Sequence, residues 1–145
     1  MNIQDIKDNT FVTDGGKKLS GIKDDNACTI IALATATGIP YKEAFQIGLD
    51  AGRKTGHGFY TNRLMKQARK NGIKFRKLKY KSITLQKFLK LGLAGRFVVK
   101  RRGHAFAIIG NVIHDVIVNP PMCRLIEIYE VKSNRLDRLK QIAKS

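Results

Sequence analysis

The sequence predicts an α+β fold in which N-terminal helices, one of them buried, pack on an antiparallel sheet of about four to five strands. Two observations lead to this prediction. The first half contains an apolar helical segment at residues 27–37, which ends at Gly38. The second half contains two short apolar runs joined by Gly110-Asn111, a dipeptide that tolerates the positive φ angles of a tight hairpin turn.

We divide the 145 residues into a flexible N-terminal arm at residues 1–20 and a single α+β domain at residues 21–145. The arm is polar and contains Asp14-Gly15-Gly16, which is typical of a turn or loop. The first residues lack the basic start and apolar run of a secretory signal, and no apolar stretch approaches the roughly 18 residues of a membrane span. We therefore expect a cytoplasmic protein with no membrane partner.

The helix at residues 27–37 is apolar on nearly every side, so we expect it to be buried. Pro40 is well suited to the start of the next helix. Further helices are predicted at residues 41–51, 62–71, 84–91 and, from Ser133, near the end of the chain.

Alternating side chains predict the strands. Ile73 and Phe75 alternate with Lys74 and Arg76, which predicts a half-buried strand with a basic outer row. Further strands are predicted at residues 96–100, 104–109, 112–118 and 123–131.

The hairpin turn fixes which side chains of its two strands face each other. If the turn is centred on Gly110-Asn111, Ile109 faces Val112 and Phe106 lies opposite Asp115. His104 precedes Phe106 by two residues, so His104 and Asp115 project from the same face as diagonal neighbours. An imidazole and a carboxylate in these positions are close enough to meet.

A base held by a carboxylate needs a nucleophile, and the candidate is Cys28. Asp25 or Asn26 is a plausible N-cap, which would place Cys28 in the first turn of the buried helix. The partial positive charge of a helix N-terminus and a nearby imidazolium both stabilise a thiolate. The alternative is that Cys28 is a small apolar core residue like its neighbours.

A cysteine that opens an Asn-Ala-Cys helix, followed much later by a Gly-His that starts a strand and an Asp on the returning strand, resembles the papain-like cysteine peptidase superfamily. The similarity is greatest to its compact bacterial and bacteriophage members and to the double-glycine leader peptidase domains, and it covers about residues 20–120. The resemblance implies a papain-like fold with Cys28 as the nucleophile, His104 as the general base and later acid, and Asp115 as the residue that orients the imidazole. It also suggests a bacteriophage or bacterial source, with the protein in the infected cell or carried in a virion.

The oxyanion hole departs from the family pattern. The family often has a Gln six residues before its Cys, whereas this chain has Ile22, and Thr29 stands where a papain-type aromatic residue often follows the Cys. Asn26, or Asp25 if protonated, is the candidate to stabilise the oxyanion together with the Cys28 backbone N–H.

These residues favour a hydrolase that cleaves a peptide or isopeptide bond in a peptide or protein substrate, although amide transfer or deamidation would use the same triad. We expect no cofactor and no metal, because the chain has no Cys-x-x-Cys pair and its histidines are scattered. Cys28 and Cys123 are expected to be free thiols.

The net charge of +17 is concentrated in the middle of the chain. Between Asp50 and Asp115 there are 17 Lys or Arg and no acidic residue. Such a surface attracts polyanions, so the alternative function is a basic module that binds DNA, RNA or an acidic host protein on a catalytically inactive papain-like fold. The residues predicted to bind a polyanion or an acidic substrate are Lys77, Lys79, Lys81, Lys100, Arg101 and Arg102.

Overall fold

A computed structural model describes residues 1–133 and confirms a mixed α+β architecture. The described helices are α1 (Ile3–Asp8), α2 (Lys17–Ser20), α3 (Cys28–Thr37), α4 (Tyr41–Asp50), α5 (Thr61–Lys70) and α6 (Leu85–Lys90). The described strands are β1 (Thr10–Val12), β2 (Lys74–Lys77), β3 (Ile83–Thr84), β4 (Arg96–Arg101), β5 (His104–Ile109), β6 (Val112–Asp115), β7 (Arg124–Leu125) and β8 (Glu127–Ser133). The helix predicted after Ser133 lies outside the described residues. None of the described helices is long and apolar enough to cross a lipid bilayer.

Six of the strands form the main sheet, in the order β1-β6-β5-β4-β8-β2, and β3 and β7 form a separate pair. The prediction of four to five strands was therefore too low. Every neighbouring pair in the main sheet is antiparallel except β1 and β6, which are parallel. The predicted strand at residues 123–131 is divided at Ile126, whose backbone N–H donates to the Lys100 carbonyl at 2.7 Å.

The β5–β6 hairpin has the predicted register, with Ile109 paired to Val112 and Ala107 paired to His114. Gly110 and Asn111 occupy the turn with φ angles of 54° and 65°. Both residue types tolerate this left-handed region, so the local sequence is sufficient to specify the turn.

Helices cover both faces of the sheet. Side chains from α3, α4 and α5 form one core cluster with Val98, Ala105 and Ala107, whereas α1 and α6 form the other with Val99 and Phe106. The two alanines on β5 face the apolar helix α3, and their small side chains allow the helix to pack closely on the strand. This packing holds the N-terminal end of α3 against the start of β5.

Residues 1–20 differ from the flexible arm that we predicted, because they form α1, β1 and α2. Ile6 is fully buried in the second core cluster, and β1 pairs with β6 through Thr10↔Ile113 and Val12↔Asp115. The polar composition concealed this attachment, since one buried isoleucine and a three-residue strand leave almost no periodic pattern.

Candidate active site

Helix α3 presents Cys28 at its first position, while the side chains of Ile30, Leu33 and Ala34 are buried behind it. The prediction that Asp25 or Asn26 caps this helix was wrong. Ala27 is the N-cap residue, and no side-chain hydrogen bond caps the helix. The first N–H groups of α3 have no intrahelical acceptor, as at every helix N-terminus, and here no N-cap side chain accepts from them.

The hairpin brings His104 and Asp115 together. His104 Nε2 lies 2.7 Å from Asp115 Oδ2, and the two side chains are only 12% and 3% exposed. The backbone N–H of Val116 donates to the other carboxylate oxygen at 2.7 Å. Because the carboxylate engages Nε2, Nδ1 is the imidazole nitrogen that remains for a second partner.

The Cys28 thiol lies beside this imidazole, and each group changes the acidity of the other. Burial raises the pKa of Cys28, but hydrogen bonds to the His104 imidazole and the Ala105 backbone N–H, together with the charge on His104, lower it to about 7. Burial lowers the pKa of His104, whereas its hydrogen bonds to Asp115 and Cys28 raise it to about 9. The pKa of the thiol is therefore below that of the imidazole, and between these values the pair is a thiolate and an imidazolium.

The two oxyanion candidates differ, because the Asn26 side chain is engaged elsewhere whereas the Asp25 side chain is exposed in the wide cleft. Asn26, at φ 57°, donates its side-chain amide to the Gly56 carbonyl at 3.1 Å. The Asp25 side chain is exposed, and its backbone carbonyl lies 3.5 Å from Arg53 Nη2. The N–H of Cys28, at the start of α3, is the donor that the fold supplies most directly.

A buried ion pair that the sequence did not reveal fixes the loop before Cys28. Arg53 donates to the two carboxylate oxygens of Asp24 at 2.6 and 2.9 Å, and both side chains are almost completely buried. Asp24 also accepts the Gly56 N–H at 2.7 Å, and Arg53 Nε donates to the His57 carbonyl at 3.0 Å. The acidic residues next to the candidate nucleophile are the only local sequence feature that points to an ion pair here, and nothing near them in the chain identifies Arg53 as the partner.

Behind the carboxylate lies Asn119, which is fully buried and was also missed. Its amide donates to Asp115 Oδ2 at 2.7 Å, and its own oxygen accepts from Arg101 Nε at 2.8 Å. A continuous series of hydrogen bonds therefore joins Arg101, Asn119, Asp115 and His104, and the Cys28 thiol lies beside the imidazole at its end. The aliphatic sequence around Asn119 did not indicate that its side chain would be buried and bonded to Asp115.

Two clefts meet at Cys28. The wide cleft has a volume of about 930 Å³ and is lined by residues of the segment 14–31 together with Thr55, Gly56 and Val116. The narrow cleft has a volume of about 310 Å³. Its lining residues are Cys28, Thr29, Gly58, Phe59, Tyr60, Lys100, Gly103, His104 and Ala105. An extended substrate could therefore pass the thiol with one part in each cleft.

The six residues that we predicted to bind a polyanion do not cluster on one surface. Lys77 lies on the edge strand β2, 4.0 Å from Glu127, while Lys79, Lys81 and Arg102 are exposed. Arg101 is held by Asn119, as described above. Among the six, Lys100 alone lines a cleft that also contains Cys28 and His104.

No protein-family model, curated protein or solved structure shows significant similarity to the chain. In the part of the chain that the structure describes, no three His, Cys, Asp or Glu side chains are grouped so that they could hold a metal ion. Both cysteines are free thiols.

Proposed function

We propose that the protein is a thiol-dependent hydrolase that cleaves a peptide or isopeptide bond with Cys28, His104 and Asp115. The observation that supports this most strongly is the geometry of the site, in which the His104–Asp115 pair, joined at 2.7 Å, lies beside Cys28 where two clefts meet. The influence of His104 lowers the pKa of the thiol to about 7, and that of the imidazole is raised to about 9. A thiolate next to an imidazolium, at the meeting point of two clefts, has both the nucleophile and the acid that amide cleavage requires.

In the acylation step, the Cys28 thiolate attacks the carbonyl carbon of the scissile amide and a carbon–sulfur bond forms. The electron pair of the carbonyl moves to oxygen, where the Cys28 N–H can donate to it. His104 then gives its proton to the amide nitrogen, the carbon–nitrogen bond breaks, and the amine leaves. The products of this step are a thioester at Cys28 and a neutral imidazole.

In the deacylation step, the neutral His104 takes a proton from a solvent water as the water oxygen attacks the thioester carbon. The carbon–sulfur bond breaks, and the carboxylic acid product leaves with one oxygen from water. Asp115 keeps the imidazole in one orientation through both steps and stabilises the imidazolium, without taking up the proton.

The fold also supports a papain-like interpretation. The order of the three residues in the chain is Cys, His and Asp, and an apolar helix places the thiol against a largely antiparallel sheet. We therefore propose that the protein is papain-like in its architecture and in the arrangement of these three side chains.

The direct test is to digest a mixed peptide library in water enriched in ¹⁸O and to sequence the products by mass spectrometry. We expect new carboxyl termini that carry one ¹⁸O atom, from the wild type and from Cys123→Ser. Cys28→Ala and His104→Ala should give none while retaining the native circular-dichroism spectrum. The library includes peptides joined through a lysine side chain, so that isopeptide bonds are tested as well. Cleavage that survives in Cys28→Ala, or no cleavage of either kind of bond by any of the proteins, would refute the proposed hydrolysis.

The second candidate function is binding of a polyanion, and the exposed face of α5 favours it. Arg63, Lys66, Arg69 and Lys70 are all exposed on this helix. This candidate predicts DNA or RNA binding that weakens steeply with salt and that Cys28→Ala leaves unchanged. Fluorescence anisotropy at two salt concentrations distinguishes it from the hydrolase, whose activity depends on the thiol.

A further inference from the structure

The narrow cleft differs in charge from the wide cleft on the other side of Cys28. The residues that line the narrow cleft include Lys100 and no Asp or Glu. In contrast, the wide cleft contains both signs of charge, with Asp14 and Asp25 among its acids and Lys17 and Lys18 among its lysines. A substrate that passes the thiol therefore meets a cationic environment on one side and a mixed one on the other.

Lys100 is the central feature of this asymmetry. It lies on β4, half-buried, in register with Ala105 of β5 and Glu127 of β8. Glu127 is its nearest acidic neighbour in the sheet, but the ion pair that Glu127 makes is with Lys77, at 4.0 Å. Within residues 1–133, no carboxylate lies within ion-pair distance of the Lys100 ammonium. A half-buried cation with no carboxylate within ion-pair distance favours an anionic ligand, because the interaction there is screened less than at an exposed site.

The mouth of the narrow cleft adds aromatic surface and more positive charge. Phe59 is half-buried and Tyr60 is 64% exposed. The guanidinium of Arg63 stacks over the Tyr60 ring at 6.0 Å from its centroid. The exposed Arg102 precedes Gly103, which also lines the cleft. The volume of about 310 Å³ accommodates one side chain or a small group rather than a long segment of chain.

We propose that the substrate of this hydrolase is a peptide with an acidic side chain close to the scissile bond, held in the narrow cleft by Lys100. This proposal rests on the proposed function. The carboxylate binds the Lys100 ammonium, the aliphatic part of the side chain packs against Phe59 and Tyr60, and the wide cleft accepts the other part of the peptide. The acidic residue is therefore required on one side of the cleaved bond only.

The first arm of the test measures the charge of the cleft without hydrolysis. In a Cys123→Ser background, Cys28 reacts with two disulfide probes, the anionic 5,5′-dithiobis(2-nitrobenzoate) and a neutral pyridyl disulfide. Both probes react with the same thiolate, so the ratio of the two rates does not depend on the fraction of the thiol that is ionised. We expect Lys100→Gln to lower the anionic-to-neutral ratio about fivefold or more, on the order of one lost ion pair. Lys90→Gln removes the same charge from the exposed face of α6, in the other helical layer, and should leave the ratio nearly unchanged.

The second arm measures substrate preference. We expect the cleavage sites in a peptide library to contain Asp or Glu at one fixed position, with kcat/KM roughly tenfold above the matched Gln peptide. Lys100→Glu should reverse this preference, so that the ratio of kcat/KM for the Lys peptide to kcat/KM for the Glu peptide rises above one.

Hydrolysis with no acidic preference, or the same probe ratio in Lys100→Gln and Lys90→Gln, would overturn this proposal and leave the hydrolase itself standing. No hydrolysis of any peptide would overturn both, and the probe ratio would still decide whether the cleft binds a carboxylate.

Discussion

Replacing His104 with alanine is expected to change the pH dependence of Cys28 reactivity in opposite directions at low and high pH. In the wild type, contacts with His104 are the main cause that lowers the thiol pKa to about 7. Without the imidazole, burial raises the pKa and the remaining hydrogen bonds, from the Ala105 backbone and Thr29, oppose it. We therefore expect the variant thiol to titrate near its ordinary value of 9.0 or above.

The size of the effect follows from these two pKa values. At pH 6 about one-tenth of a thiol with a pKa of about 7 is ionised, against about one-thousandth for a pKa of 9.0. A thiolate whose pKa is lower by two units is roughly eightfold less nucleophilic towards a disulfide. The net expectation at pH 6 is that the wild type reacts roughly tenfold faster. At pH 9.5 both thiols are largely ionised, so the His104→Ala thiolate reacts several-fold faster than the wild type.

The assay follows the reaction of Cys28 with a neutral pyridyl disulfide from pH 5 to 10, in a Cys123→Ser background. The two rate profiles should cross. Asp115→Asn keeps the imidazole but removes the charge that stabilises its protonated form, so its profile should lie between the other two. Parallel profiles, or a wild-type inflection near pH 9, would refute the assignment of His104 as the group that ionises Cys28.

Three further variants test the groups that support the site. Asn119→Ala removes a donor to a buried carboxylate, and we expect it to lower the free energy of unfolding by about 1–3 kcal/mol in urea. Arg53→Ala leaves Asp24 buried without its counter-ion, for an expected loss of about 3–5 kcal/mol at pH 7. In the wild type, burial raises the Asp24 pKa, but the Arg53 ion pair and the hydrogen bonds hold it below 3.8. In Arg53→Ala the unpaired acid has a higher pKa, so it takes up a proton as the pH falls from 7 to 4. The difference in the free energy of unfolding between the wild type and Arg53→Ala should therefore shrink over this range. Gly48→Ala places a methyl group 2.6 Å from the Cδ1 atom of a buried isoleucine in α3, for an expected loss of about 1–3 kcal/mol by denaturation.

Each of these expectations has an outcome that contradicts it. Asn119→Ala with wild-type stability would mean that water replaces the amide. If Arg53→Ala loses the same free energy of unfolding at pH 7 and at pH 4, Asp24 is not the group left unpaired. Gly58→Ala is the matched control for Gly48→Ala, because a Cβ at Gly58 meets no atom within 4 Å. Equal stability changes in these two glycine variants would exclude crowding as the cause.

The sequence was sufficient to predict those parts of the fold and of the candidate site that depend on residues close together in the chain. The Gly110-Asn111 turn determines the pairing of β5 with β6, and that pairing alone predicts that His104 and Asp115 meet. The buried helix could also be predicted from the sequence, because its apolar residues are contiguous and Gly38 ends it in a left-handed conformation.

The parts that were missed depend on residues far apart in the chain. Asp24 and Arg53 are separated by 29 positions, and each looks like an ordinary surface charge until the fold buries them together. The parallel pairing of β1 with β6 is more distant still, as in Thr10↔Ile113. A strand of three residues has no measurable alternation, so composition favoured a free arm over a sheet edge. The helix cap was missed for a different reason, since Asn26 takes a positive φ angle and uses its amide on Gly56.

The series of hydrogen bonds from Arg101 to His104, beside Cys28, also bears on the order in which the site forms during synthesis. Synthesis proceeds from the N-terminus, so the thiol leaves the ribosome long before the imidazole, the carboxylate and Asn119 exist. Until β5 and β6 have formed and docked on α3, a nascent chain contains Cys28 as an ordinary cysteine that is mostly protonated at neutral pH. In the proposed hydrolase, activation of Cys28 would therefore coincide with completion of the sheet.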